Sequence, residues 1–343
     1  MRKIRLAGMV LALSLLAASF PARADDFSPA IAKAADYLVK AQLPNGSLPG
    51  QDCSNGKCWP EMNVFGTALT LDILTEPAPV TDAHLAPLLA KAAAFLASKQ
   101  SGGLWYYLVG NQTEGLWSYA PAFPPDLDDT AVASLALTRL TPAQVPDNLQ
   151  KILALKRPDG TFPTWAENVG AFSTDERADC VVQINILTYL ASRGKVPAQT
   201  CTNAVRHRQQ KDFPACSVYY QSPSFYDALY LRAARLPGLE CLKAGTAETA
   251  APIGKNWTPS PTLSSQDLAF DLLSRLYLGY CDPTNTEAAR QLRDRQRPDG
   301  SWPGDTLYTD GRPVFSFRSD AVTTAFALRA LGEWQAHCAA KAP

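Results

Sequence analysis

From residue 27 onward apolar residues recur three and four positions apart, with almost no strand-like alternation, which is the period of packed helices rather than of a sheet. The pattern predicts two sets of six helices that alternate along the chain. The outer set falls near 27–41, 83–99, 145–156, 196–210, 237–246 and 284–296. The inner set falls near 62–75, 127–140, 177–193, 222–236, 264–280 and 319–333. Prolines lie mainly between these spans, as the missing N–H and fixed φ of proline require. A short polar turn recurs between an outer helix and the inner helix that follows: Gln42 to Leu48, Gln100 to Trp105, Lys156 to Phe162 and Gln296 to Trp302, each built around a glycine. Gly46, Gly103 and Gly160 are 57 residues apart each time, and the 140 residues from Gly160 to Gly300 leave room for two degenerate units, near Gln210–Tyr220 and Gly254–Trp257. Six helix pairs predict an all-α fold, a closed (α/α)6 toroid with one ring inside the other.

One helix start departs from its fellows. Predicted inner helices begin beside an acid, at Glu61, Asp128, Asp175, Asp227, Asp267 and Asp320, and a single acid there needs no further explanation. It complements the helix dipole and satisfies free N–H groups, for about 0.3 to 1 kcal/mol. The second inner helix instead carries three, Asp126, Asp128 and Asp129, within a chain only 19% charged. Crowded carboxylates cannot all ionise freely, so the run retains a proton above the ordinary aspartate range. Such a group is an acid.

The run Asp126-Leu-Asp-Asp-Thr-Ala-Val132 resembles the acid motif of class II terpene cyclases, the superfamily of squalene-hopene and diterpene cyclases. The Gly-centred turns are similar to the QW repeats of squalene cyclases and to the repeats of protein prenyltransferases. The resemblance implies that Asp128 protonates an alkene or epoxide of an isoprenoid lipid while Asp126 or Asp129 holds the charge. It also implies a hydrogen-bonding partner four residues after an aspartate on a later inner helix, where Gln183 follows Asp179; Asn185 stands two positions on. Migrating positive charge calls for aromatic faces, each worth on the order of 0.5 to 2 kcal/mol. Candidates are Trp105, Trp117, Tyr119, Phe123, Trp165, Tyr220, Tyr226, Phe315 and Phe317.

The N-terminus predicts export. Arg2, Lys3 and Arg5 precede an apolar run from Leu6 to Phe20 and the small-residue site Ala22-Arg23-Ala24, the pattern of a signal peptide cleaved after Ala24, giving a periplasmic or secreted product of residues 25–343. Losing Arg2, Lys3, Arg5 and Arg23 leaves 28 basic against 32 acidic side chains, a balance that gives no basis for nucleic-acid binding. Eight cysteines suit an oxidising compartment, and short separations suggest the pairs Cys53–Cys58, Cys201–Cys216 and Cys241–Cys281. No cysteine pair has zinc-knuckle spacing, and His84, His207 and His337 are scattered, so neither metal nor cofactor is expected. The partner is a hydrophobic lipid met in peripheral contact with a membrane. Oligomeric state is left open.

Two other readings fit a helical toroid. One is a lipid carrier that keeps the cavity without turnover. The other is a polysaccharide lyase or glycoside hydrolase in which the Asp126–Asp129 acids work with a distant carboxylate such as Asp227 or Asp320.

Overall fold

The computed structural model describes residues 25–76, 83–107, 123–169, 173–174, 176–254, 257–309 and 315–340. The segment predicted to be a signal peptide, and the candidates Trp117 and Tyr119, lie outside them.

Twelve α-helices occur among the described residues: α1 Ser28–Ala41, α2 Val64–Leu74, α3 Ala86–Lys99, α4 Leu127–Leu140, α5 Leu149–Ala154, α6 Cys180–Ser192, α7 Ala198–Gln210, α8 Pro223–Ala234, α9 Thr246–Ile253, α10 Ser265–Tyr277, α11 Pro283–Asp294 and α12 Asp320–His337. The even-numbered helices form the inner ring, each packed on the next, and α12 returns to α2 to close it. The odd-numbered helices pack outside. Burial follows: α2 is buried along its whole length, whereas α11 is polar on one side and buries only Asn285, Thr286, Ala288, Ala289 and Leu292. The fifth outer position differs from the continuous helix expected over 237–246. There Glu240–Gly245 is a 3-10 turn that leads into α9.

The repeated turns show why they recur. Gly46 and Gly300 sit at φ of +93°, and a Cβ on either would lie 2.3 Å from the Lys91 carbonyl oxygen or 2.2 Å from that of Lys33, so only glycine fits. The glutamine that opens such a turn ties it to its neighbours. Gln42 Nε2 donates to the carbonyls of Gly46 and Leu88, each at 2.9 Å, and Gln296 Nε2 to those of Gly300 and Ala30 at 2.9 and 2.8 Å. The residue that closes each turn donates its backbone N–H to an inner-helix side chain: Leu48 to Thr67, Trp105 to Thr130, Phe162 to Gln183 and Trp302 to Thr324. Outer turn and inner helix are thereby clamped in four of the six units.

A small sheet was not foreseen from the helical periodicity. Strands β1 Gly50–Ser54, β2 Lys57–Glu61, β3 Tyr308–Thr309 and β4 Phe315–Arg318 form one antiparallel sheet of order β2-β1-β4-β3. Its strands are two to five residues long, too short for local alternation to announce them, and the β1–β4 pair joins segments more than 250 residues apart. The sheet joins the first and last units and delivers Tyr308 and Phe317 to the inner-helix N-termini.

Disulfides link Cys53–Cys58, Cys180–Cys216, Cys201–Cys241 and Cys281–Cys338. The first is the expected pair. The expected Cys201–Cys216 and Cys241–Cys281 bonds do not form, because Cys201 of α7 faces the 3-10 turn that carries Cys241, while Cys216 meets the start of α6.

At the C-terminal ends of the inner helices a buried ion network closes the ring. Asp72 of α2 accepts from Arg139 of α4 at 2.6 Å and from Arg232 of α8 at 2.5 Å. Both arginines lie in the last turns of their helices, where positive charge complements the dipole.

Candidate active site

Every inner helix is capped by a side-chain oxygen: Asn63, Asp126, Asp179, Ser222, Ser264 and Ser319. This corrects the assignment of capping to the acids at 61, 128, 227, 267 and 320, each one to five residues from the true cap. It also divides the labour within the acidic run. Asp126 Oδ1 receives the N–H groups of Asp128 at 2.7 Å and Asp129 at 3.3 Å, so the cap is complete without the other two acids. Thr130 is the clamp that fixes Trp105. Asp128 and Asp129 are left over, both buried.

Asp128 meets two donors. Asn185 Nδ2, from α6, donates to Oδ1 at 2.8 Å, and the Tyr220 hydroxyl, from the segment before α8, donates to Oδ2. Burial, then the nearby Asp126 charge, push the Asp128 carboxyl well above the ordinary aspartate range, while the Tyr220 and Asn185 hydrogen bonds pull it partly back. The proton is thus retained, yet the carboxylate left behind by its departure is already solvated by two donors. Burial and both neighbouring acids also hold Asp129 well above the ordinary range, and its Oδ1 has no hydrogen-bond partner. Asp126 is raised by burial too, opposed by the backbone N–H groups that it caps and by the Asp129 carboxyl. Of the three, Asp126 is best equipped to carry charge.

Gln183 does not reach the acid. Its carboxamide donates to the Phe162 carbonyl at 3.0 Å and accepts the Phe162 N–H at 2.8 Å. The reason is register. Gln183 lies four residues after its cap, Asp179, as Thr67 follows Asn63 and Thr130 follows Asp126, and that position clamps the turn. Asn185, half a turn on, projects toward Asp128 instead.

Aromatic rings surround the acid. Tyr308 sits among Phe317 (4.8 Å, stacked), Phe65 (5.5 Å), Tyr107 (5.9 Å) and Tyr220 (6.0 Å), measured between ring centres. Asn63 Nδ2 donates to the hydroxyls of Tyr308 at 3.1 Å and Tyr107 at 3.3 Å, and the Tyr308 hydroxyl donates to that of Tyr107 at 3.1 Å. Phe123 continues the wall from Tyr107 to Trp165, each 6.1 Å away, and Trp165 Nε1 donates to the Tyr219 hydroxyl at 2.9 Å. At the edge Glu61 is buried, and desolvation followed by the Asp52 charge push it up to about 8.

Of the aromatic candidates, the structure gathers Phe123, Trp165, Tyr220 and Phe317 here and sends three elsewhere. Trp105 is a packing anchor, fully buried with Nε1 donating to the Leu96 carbonyl at 2.8 Å. Tyr226 stacks on Phe213 at 5.5 Å with the Arg208 guanidinium 4.8 Å from its ring. Phe315 is 41% exposed, edge-on to Trp59. Phe65 and Asn63 were missed. Phe65 stands two residues past its cap, as Asp128 does past Asp126, so helix register carried the signal.

The distant carboxylates proposed for a hydrolase are engaged separately: Asp227 by Arg208 at 2.7 Å and Asp320 by Arg297 at 2.5 Å. Among the described residues one group, His207, Asp212 and Cys216, has metal-ligand spacing, but the Cys216 sulfur is bonded to Cys180.

The closed ring of capped inner helices is a class II terpene cyclase-like fold. Residues 86–193, which contain the acidic run, Gln183 and Asn185, match the family model of the sesquiterpene cyclase astC-like C-terminal domain. Drimenol cyclase drtB of Aspergillus calidoustus is 25% identical over 236 residues, 66% of this chain and 41% of the relative, so the chain spans about two fifths of that protein's length. The apo structure of the type II terpene cyclase MstE from Scytonema is similar over 91% of this chain and 99% of its own, with TM-score 0.66 and 16% identity. A possible member of the GH105 family from Klebsiella pneumoniae is similar over 96% of this chain and 99% of its own, at TM-score 0.52 and 12% identity.

Proposed function

We propose that this protein is an enzyme that cyclises an isoprenoid lipid, starting the reaction by proton transfer from Asp128. The observation that carries the proposal is the environment of that carboxyl: burial keeps its proton, and Tyr220 and Asn185 stand ready to hold the carboxylate once the proton has gone. The proton adds to one carbon of a terminal alkene, or to an epoxide oxygen. The cation so formed is attacked by the next double bond, and Tyr308, Tyr107, Phe65 and Trp165 present π faces to the migrating charge. Loss of a proton or capture of water ends the cascade. A helical ring with apolar walls keeps water from quenching the cation sooner.

The Scytonema cyclase is also solved in complex with geranylgeranyl dihydroxybenzoate, a substrate with a polyprenyl chain, which supports an isoprenoid for this chain. Four disulfides and the basic-apolar N-terminus support an exported enzyme, for which a membrane-derived squalene-like or polyprenyl lipid is the accessible substrate. The test is mass spectrometry of lipids after incubating wild type and Asp128→Asn with squalene, oxidosqualene and shorter polyprenyl compounds. A more cyclic product of equal mass, or of that mass plus water, made by wild type alone is expected. Lipid that co-purifies unchanged with both proteins would make this a carrier.

A further inference from the structure

Both donors to Asp128 come from one side of the ring. Asn185 lies on α6, and Tyr220 ends a segment that is knit to the start of the same helix. Five donors converge on the buried Asp179 carboxylate. Oδ1 receives the N–H groups of Val181 at 2.7 Å and Val182 at 3.3 Å, which caps α6. Oδ2 receives the Ser217 hydroxyl at 2.8 Å and the N–H groups of Val218 at 2.6 Å and Tyr219 at 3.0 Å. Capping needs only one oxygen: Asp126 uses Oδ1 alone, and Ser222, Ser264 and Ser319 cap with a single hydroxyl. The second oxygen of Asp179 serves the 217–219 segment.

Two more links join the same parts. Cys180 is bonded to Cys216 and donates its N–H to the Cys216 carbonyl at 3.1 Å, and Arg177 Nη2 donates to the Ser217 carbonyl at 2.9 Å. Ser217 Oγ, while donating to Asp179, accepts the N–H of Tyr220 at 2.9 Å. Two hydrogen bonds therefore connect Asp179 with the backbone of the residue whose hydroxyl sits on the acid.

We propose that Asp179 is a positioning residue: through Ser217, and backed by the Cys180–Cys216 disulfide, it holds the Tyr220 hydroxyl on Asp128 and so sets the strength of the acid from outside the acid's own helix. This rests on Asp128 being the proton donor. Asp179 makes no hydrogen bond to Asp128 among the described residues. Through Tyr220 it lowers the acid's pKa, while its own nearby charge acts on Asp128 directly and in the opposite sense.

The experiment is an infrared titration of the protonated Asp128 carbonyl band, identified as the band missing from Asp128→Asn, in wild type, Tyr220→Phe, Asp179→Ser and the double variant. Serine keeps the cap, as in three other inner helices, and removes the acceptor for 217–219. Loss of a donor to the carboxylate moves the midpoint to higher pH, by about one unit for Tyr220→Phe. Asp179→Ser removes the support of Tyr220 and a nearby negative charge together, two effects of opposite sign, so the diagnostic is the cycle: the double variant is expected to fall short of the sum of the two single shifts by up to the Tyr220→Phe shift. Shifts that simply add in the double variant, in proteins with native circular dichroism, would overturn the proposal. Should Asp179→Ser fail to fold, Ser217→Ala breaks the same connection more gently and is expected to give a smaller shift of the same sign; no shift there would also count against it. The titration needs no turnover. A wild-type protein that shows these shifts but forms no cyclic product would refute the cyclase reading and leave the positioning of Tyr220 standing.

Discussion

Asn185 donates through Nδ2 to Oδ1 of Asp128 across 2.8 Å, joining the second turn of α6 to the first turn of α4. With the Tyr220 hydroxyl on the other oxygen, neither lone-pair face of the acid is left to water. A neutral amide and a phenol thus perform the task that the sequence resemblance assigns to a partner at position 183. Neither carries charge at neutral pH, so they stabilise the carboxylate without repelling a cation on the substrate.

Replacing Asp128 with asparagine removes the proton and keeps the shape. Cyclisation is expected to fall by on the order of 10³-fold or more, with an unchanged fold by circular dichroism. Stability should move the other way with pH. Because folding raises the Asp128 pKa, its contribution is fully present below the unfolded aspartate range and is lost as pH rises through the raised folded value. Asp128→Asn has no such loss, so its melting temperature should exceed that of wild type in alkaline buffer, and the gap should shrink toward acid pH.

Asn185 and Gln183 are separable. Asn185→Ala is expected to lower turnover about 10- to 100-fold with little loss of stability, since it removes one donor from the carboxylate. Gln183→Ala orphans the N–H and C=O of Phe162 and is expected to destabilise the protein by about 1 to 3 kcal/mol while leaving turnover per folded molecule near wild type. Thermal melts and initial rates on the two variants distinguish the roles; the reverse assignment would place Gln183 at the chemistry.

The pH profile of cyclisation follows from which form of Asp128 is active. The protonated form donates, and burial holds its pKa well above that of a free aspartate. Rates should be level through mildly acidic pH and fall on the alkaline side as the proton is lost. A rate that rises with pH across that range would mean that a carboxylate, not a carboxylic acid, does the work.

The other end of the ring gives a purely structural prediction. Burial alone would raise Asp72, but Arg232 and Arg139 outweigh it and hold the carboxyl below the usual range. Asp72→Ala takes the carboxylate from part-buried Arg139 and leaves buried Arg232, among the described residues, only Glu76 at 3.4 Å, and is expected to destabilise the fold by about 3 kcal/mol, read by denaturant melts. Turnover of the molecules that remain folded should change little.

Much of this was legible in the sequence. Eleven of the twelve helices follow from apolar period and proline placement, because helical signals are local; α9 lies beyond the span expected for it. The acidic run stood out because three acids exceed what a cap requires. What escaped was long-range or a matter of register. The strand carrying Phe317 pairs with residues at the opposite end of the chain, and the strand carrying Tyr308 is placed by pairing with it. Trp105 and Gln183 have the right chemistry at positions that helix register commits to clamping the turns. Phe65 occupies the register of Asp128 yet carries no polar group to advertise it. Cysteine pairing depends on which helices meet, and spacing does not report that.

The most direct measurement is to run the reaction in D2O with each polyprenyl candidate and weigh the products by mass spectrometry. Proton transfer from a solvent-equilibrated Asp128 predicts, for an alkene substrate, a cyclic product with one deuteron fixed at the carbon where the cascade began, formed by wild type and absent with Asp128→Asn. Cyclic product without that deuteron from an alkene substrate, or made equally well by Asp128→Asn, would contradict the account.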